Sequence, residues 1–317
     1  MVKRILFALV GVLLALAIGL VLQSRLFTSD VPSPEPLHTA DEAAAAQSDV
    51  PAASSARPPS QPVVTRVITV AGRVEIFITS EGRWRPVTLG QQLSEDAVLR
   101  TREGQVALTI GENIRASVSA NSQFRLGELS NQLSRVRLEG GHVLAQVEGG
   151  KGSELLVQVL GSTAEARATD AEFAVLRGDG GQVTVAATRG NVKLAAAGSE
   201  VVIDSGEQSV VAVGETPDAP IKIPGELLVK LSRGLARKLT HRNVMIEGET
   251  SPGAVVTING LPAATRQGRF ALSIPLREGN NEVTVVSRDI LNRQTEHRVR
   301  GILVDSEPPE LNGHVNW

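Results

Sequence analysis

Cysteine is absent from the 317-residue chain. That removes disulfides, thiol catalysis, Cys-ligated zinc or iron–sulfur centres, and a lipid attached through an N-terminal Cys. Tyrosine is absent too, and aromatic residues make up only 3% of the chain, which leaves little for platforms that stack on bases or polar ligands. The formal net charge of −2 gives no basis for a broad nucleic-acid footprint, so nucleic acid is not an expected partner. The histidines (His38, His142, His241, His297 and His314) fall in no HExxH or other short metal-ligand spacing. Ser162, Ser199, Ser205 and Ser209 lack a nucleophile elbow. No catalytic residue, metal site or cofactor is assigned, and enzymatic activity is not expected.

One long apolar run is present. Ile5 to Leu22 reads ILFALVGVLLALAIGLVL, 18 residues without a charge, and a helix of that length is just enough to cross a bilayer. Lys3 and Arg4 precede it, favouring a cytoplasmic N-terminus. The exit, VLQSRLFTSD, has no good small-x-small cleavage pair. Residues 1–27 are therefore read as an uncleaved transmembrane signal-anchor, with a cleaved signal peptide as the alternative. Between Thr28 and Pro62 stand seven of the chain's 16 prolines among Ala, Ser and acidic residues. Few large apolar side chains are available there to offset ordering entropy, so 28–62 is expected to be a disordered tether.

From Val63 the pattern is period-two alternation broken by glycine, in segments such as GRVEIFI, QVALTI, HVLAQV and EFAVL. Short Val-rich strands without long amphipathic helices indicate a mostly β fold, jelly-roll-like or a β-roll, over 63–213. Gly72, Gly141, Gly181 and Gly190 each open the same Gly-polar-Val pattern, with glycine making a turn and Val starting an inward-facing series. The last two are nine residues apart, which suggests adjacent hairpin strands.

These segments resemble the extracytoplasmic domain of the FecR family. The matching residues are GRVEIFI at Gly72, the block from Thr88 to Leu126 containing Gly90, Leu93, Asp96, Val98 and Thr101, LEGGHVLAQV from Leu138, and Val183 to Gln208. One station departs: ATDAEFAV places Asp170 and Ala171 where the family usually has a Gly-Thr pair before a Phe strand. The resemblance implies one of two roles. Signalling members pair this domain with a cytosolic segment that controls a sigma factor. Here MVKR stands in that place, so an anti-sigma role is not expected. Other members are envelope proteins that join the domain to peptidoglycan-binding or Ig-like modules.

In the connector, 214–242, Leu227, Leu231, Leu235 and Leu239 recur every four residues among basic side chains, the spacing of a short amphipathic helix. Strands VMIEG, AVVTI, RFALSI, EVTVVSR and EHRVRGILV follow, separated by turn chemistry at Asn259-Gly260, Gln267-Gly268 and Glu278 to Asn281. This predicts a small antiparallel β-sandwich over 243–305, with 306–317 as a tail. Gly248, Pro252-Gly253-Ala254, Val256, Asn259-Gly260, Gly268-Arg269-Phe270 and Arg288-Asp289 through Asn292 resemble bacterial Ig-like repeats of the glucodextranase accessory type. Such modules serve as spacers and adhesive units alike.

Two local features stand out. Arg177-Gly178-Asp179-Gly180 contains an adhesion-like tripeptide, but a turn between two strands calls for the same residue types. Trp84, between Arg83 and Arg85, is read as packing over a sheet edge with a cation–π contact, and these three form the candidate partner-binding group. The combined expectation is a non-catalytic, membrane-tethered cell-envelope scaffold or binding protein. It would be single-pass in the inner (cytoplasmic) membrane through residues 5–22, its bulk in the periplasm or outside the cell, facing an envelope-protein or cell-wall partner. The alternatives are an extracytoplasmic sensor acting through a membrane partner, and a carbohydrate-processing accessory or enzyme.

Overall fold

A computed structural model of the protein describes residues 63–79, 81–130, 132–149 and 153–306. The apolar run 5–22, the stretch 28–62 and the tail beyond Ser306 lie outside the described residues. Among the described residues, no helix is long and apolar enough to cross a membrane.

Alternating side chains become strands almost throughout. The first set is β1 (Thr65–Ala71), β2 (Val74–Ile78), β3 (Arg83–Pro86), β4 (Gln92–Leu93), β5 (Val98–Thr101), β6 (Gln105–Ile110), β7 (Ile114–Val118) and β8 (Ser122–Leu129). It continues with β9 (Leu133–Val147), β10 (Glu154–Val159), β11 (Glu165–Ala168), β12 (Ala171–Arg177), β13 (Val183–Ala196), β14 (Ser199–Asp204), β15 (Glu207–Val211) and β16 (Ile221–Lys222). One sheet runs β4-β1-β6-β7-β9-β12-β13-β15-β16. The other runs β3-β2-β5-β8-β9-β10-β11-β13-β14 and includes a parallel pairing of β9 with β10. Between them lies a core of Val, Leu, Ile and Ala around Phe124 and Phe173.

The two sheets share β9 and β13, and this sets the architecture. Segments expected as separate strands, QVTVAA and NVKLAA, are one strand bent at Gly190, as SRVRLEG and HVLAQV are one strand bent at Gly141. Both glycines have positive φ, 69° and 90°. A Cβ at Gly190 would stand 2.2 Å from the Asp170 carbonyl oxygen, and one at Gly141 would stand 2.1 Å from Ser122 Oγ. Only glycine lets the backbone turn the corner this closely. The valine after each Gly-polar pair, Val74, Val143, Val183 and Val192, is buried as its pattern suggests.

The second set comprises β17 (Val229–Leu231), β18 (Lys238–Leu239), β19 (Asn243–Thr250), β20 (Val255–Ile258), β21 (Leu261–Arg266), β22 (Arg269–Pro275), β23 (Gly279–Arg288) and β24 (Gln294–Val304). The order is β17-β19-β22-β21-β20-β23-β24-β18, with β21 paired into both layers of a small sandwich. Asn259 and Gly260 have φ of 49° and 80°, and Gln267 and Gly268 have 48° and 76°. Positive φ at both central residues is the requirement of the two-residue hairpin turn that those pairs indicate in the sequence.

The connector does not form the expected amphipathic helix. Its residues are strands β16, β17 and β18 and the loops between them. A repeat of four is also twice the strand repeat of two, and Gly234 interrupts any helix. Leu231, Leu235 and Leu239 pack with Val229 against the second core, while Leu228 is exposed.

Candidate functional site

The alternation that builds the β2–β3 hairpin divides the Trp84 group. Trp84 pairs across the strands with Phe77, their ring centroids 5.4 Å apart. On the same face Glu75 of β2 lies opposite Arg100 of β5. The Arg100 guanidinium lies 3.9 Å from the Trp84 ring centroid, and its Nε donates to Glu75 Oε2 at 2.6 Å. That hydrogen bond, with a further one from Arg73, holds the Glu75 carboxyl below its ordinary value. Arg83 and Arg85 project from the opposite face, where both pair with Glu81 at 2.5 and 2.6 Å. The three residues named from sequence therefore fall on two faces of an edge strand, and the cation on the Trp84 ring is Arg100. Its involvement follows from cross-strand register, which local sequence does not state.

A second constellation has no counterpart among the sequence candidates. On β12 and β13 the inward residues Phe173, Val175, Val183 and Val185 enter the main core. Their outward neighbours Ala174, Leu176 and Ala186 are also buried, together with Ile290 from the β23–β24 turn. The sandwich thus covers part of the first module's outer face. Thr184 Oγ1 donates to the Gly253 carbonyl at 2.8 Å, and Gln208 Nε2 donates to the Pro252 carbonyl at 2.8 Å. His142 Nε2 lies 2.8 Å from the Ile290 carbonyl oxygen and Nδ1 lies 2.9 Å from Ser119 Oγ. A carbonyl only accepts, so Nε2 carries the proton and Nδ1 accepts from the Ser119 hydroxyl. Burial pushes His142 down to about 4; the bond to Ile290 opposes that shift.

The Ile290 turn is itself a built feature. Asp289 Oδ1 accepts from the Leu291 and Arg293 amides at 3.1 and 2.8 Å, and Asn292 takes φ of 60°. Arg293 Nε donates to Asp289 Oδ2 at 2.6 Å, while its terminal nitrogens hold the carbonyls of Pro224, at 2.6 Å, and Gly225. The connector is pinned to the turn that plugs the junction. A signal for this surface did exist in sequence: FAVL and VTVAA lack polar alternation, as expected of strands covered on both faces.

The Arg177-Gly178-Asp179-Gly180 turn belongs to the same junction. A Cβ on Gly178 would stand 2.6 Å from a Val255 methyl of the sandwich, so the tripeptide is a packed turn with Asp179 at its exposed tip. Asp170, at the departing station, pairs with Arg189 at 2.9 Å, and this bond lowers its pKa. In the Ser119–His142 contact the histidine is 5% exposed and its other ring nitrogen is committed to the Ile290 carbonyl, so the pair is part of the junction. Among the described residues no cluster of His, Asp and Glu could hold a metal ion.

Over the described residues the fold defines a class: two β modules, a roll with shared strands docked to a small sandwich. Residues 97–193 match the FecR protein family, so the roll contains a FecR-like domain. Two crystal structures of a candidate anti-sigma factor from Parabacteroides distasonis are similar to the chain at 19% and 18% identity, each with a TM-score of 0.34. Each match covers 39% of this chain and 57% of the other, so the chain spans little more than half the length of those proteins. A structure of the fibronectin(III)-like modules of Clostridium thermocellum CbhA is similar at 15% identity and a TM-score of 0.23, covering 56% of this chain and 94% of that one. No curated protein sequence matches.

Proposed function

We propose that this protein is a non-catalytic scaffold or binding protein of the cell envelope. In this reading residues 5–22 anchor it in the inner membrane as a single pass, and residues 28–62 space it from the bilayer. The FecR-like roll and an Ig-like sandwich of glucodextranase accessory type then present their surfaces on the extracytoplasmic side to an envelope-protein or cell-wall partner. The observation that carries this reading is the FecR match over 97–193. The Trp84–Arg100–Glu75 face on the β2–β3 edge is the proposed contact surface, because an edge strand offers backbone groups beside a ring and charges.

Photocrosslinking in cells tests it, with a crosslinkable residue at Arg73 of the full chain, an exposed position beside Glu75 on the proposed face. Adducts with envelope proteins or cell-wall fragments that vanish on Trp84→Ala are expected. An extracytoplasmic phosphatase fused after the last residue should be active. Adducts only with cytosolic proteins, or an inactive fusion, would overturn the reading. A second reading, an extracytoplasmic sensor acting through a membrane partner, draws on the same FecR match. It predicts that the adduct is an integral membrane protein whose cytosolic output changes in the Trp84→Ala strain.

A further inference from the structure

A cleft of about 510 Å3 opens beside the junction, between the sandwich strands β20, β21, β23 and the β12–β13 turn of the roll. Its volume is in the range of small-molecule sites, about 300–1,000 Å3. Its charges are not arranged as on an ordinary solvated surface. Arg266 of the sandwich and Glu215 of the connector neutralise one another across its rim at 2.8 Å. That leaves one cation and one anion. Arg288 sits on the outward face of β23 between Val255 and Gln294. Its guanidinium is half-buried, and among the described residues it donates no hydrogen bond and joins no ion pair. Asp179, at the tip of the turn, is near enough to act on it electrostatically. The two face one cleft without closing on each other.

A half-buried guanidinium with idle donors is costly, and the ligand that best relieves it is a carboxylate, which takes two of its N–H groups in parallel. A simple carboxylate would also meet the repulsion of Asp179. A ligand that adds an ammonium group turns that repulsion into a second ion pair. Gln182 supplies an independent sign of an unfilled site. It is 7% exposed, lines the same cleft, and its amide nitrogen has no partner. Rotation about its terminal torsion presents either amide atom to an occupant, and a peptide group can satisfy both.

We propose that the cleft binds a short peptide with free ends, its carboxylate on Arg288, its ammonium on Asp179 and its amide on Gln182. The site is independent of the scaffold reading, which a failed titration here would leave untouched.

Titration of the full chain in detergent with L-alanyl-L-alanine, followed by calorimetry and by saturation transfer to the ligand methyl groups, tests the site. Saturable binding in the millimolar range or tighter is expected. The N-acetyl and C-terminal amide derivatives should each bind about tenfold more weakly, one for each lost ion pair. Arg288→Gln should bind the free dipeptide and its amide equally. Asp179→Asn, an exposed position, should no longer distinguish the dipeptide from its N-acetyl form. Absence of saturable binding to the folded wild-type chain overturns the proposal. So does unchanged preference in Asp179→Asn, which decides the matter even if Arg288→Gln misfolds.

Discussion

At the scale of single residues, His142 shows how burial sets chemistry. The residue is 5% exposed and its imidazole is held near 4, against about 6.5 for a free imidazole. The unfolded chain therefore binds a proton that the folded chain refuses. Stability is complete above about pH 6.5 and falls as pH drops toward 4, by up to about 3 kcal/mol. Denaturant midpoints measured across that window should decline in the wild type and lose most of the slope in His142→Gln. A slope equal in both proteins would assign it to the carboxylates. A second residue-scale prediction concerns Gly190. Alanine there combines positive φ with a Cβ 2.2 Å from a carbonyl oxygen. It should cost at least about 2 kcal/mol in a thermal melt. Gly206, with positive φ but nothing within 4 Å of its added Cβ, should cost only about 1 kcal/mol when changed to alanine.

At the scale of elements, the connector is held by a few polar contacts and not by helix propensity. Arg293 bonds Asp289 and the carbonyls of Pro224 and Gly225. Its replacement by alanine leaves the buried Asp289 carboxylate without its cation and should lower stability by about 2 kcal/mol. Hydrogen exchange should accelerate first at residues 224–231, and unchanged exchange there would mean the connector is held elsewhere. The elements also show what a sequence conveys. Turns with a backbone requirement were readable, since Asn259-Gly260 and Gln267-Gly268 contain residues that tolerate positive φ. Strand continuity was not, because Gly141 and Gly190 look like turn residues whether a strand ends or bends. The leucine repeat of the connector fits two periods, and only its contacts with Val229 choose between them. At the candidate sites, Trp84 was visible as an unusual residue, but Arg100 and Glu75 are brought to it by strand register.

At the scale of the molecule, the junction should make the two modules unfold as one thermodynamic unit. Ile290 is 1% exposed inside the roll's outer face, with the bonds from His142, Thr184 and Gln208 around it. Separating the modules would expose Ala174, Leu176 and Ala186 and leave the Ile290, Gly253 and Pro252 carbonyls seeking water. Each module would therefore lose support when the other unfolds, and calorimetry of the full chain should give one transition over the β region. Ile290→Ala removes the plug while keeping the backbone carbonyl that His142 binds. It should cost about 2–4 kcal/mol and split the transition, with the small sandwich melting first because its core has fewer large side chains to draw on. Two transitions already present in the wild type would show that the junction does not couple the modules. One transition retained in Ile290→Ala would place the coupling in the polar bonds, where Thr184→Val and Gln208→Leu should then divide it.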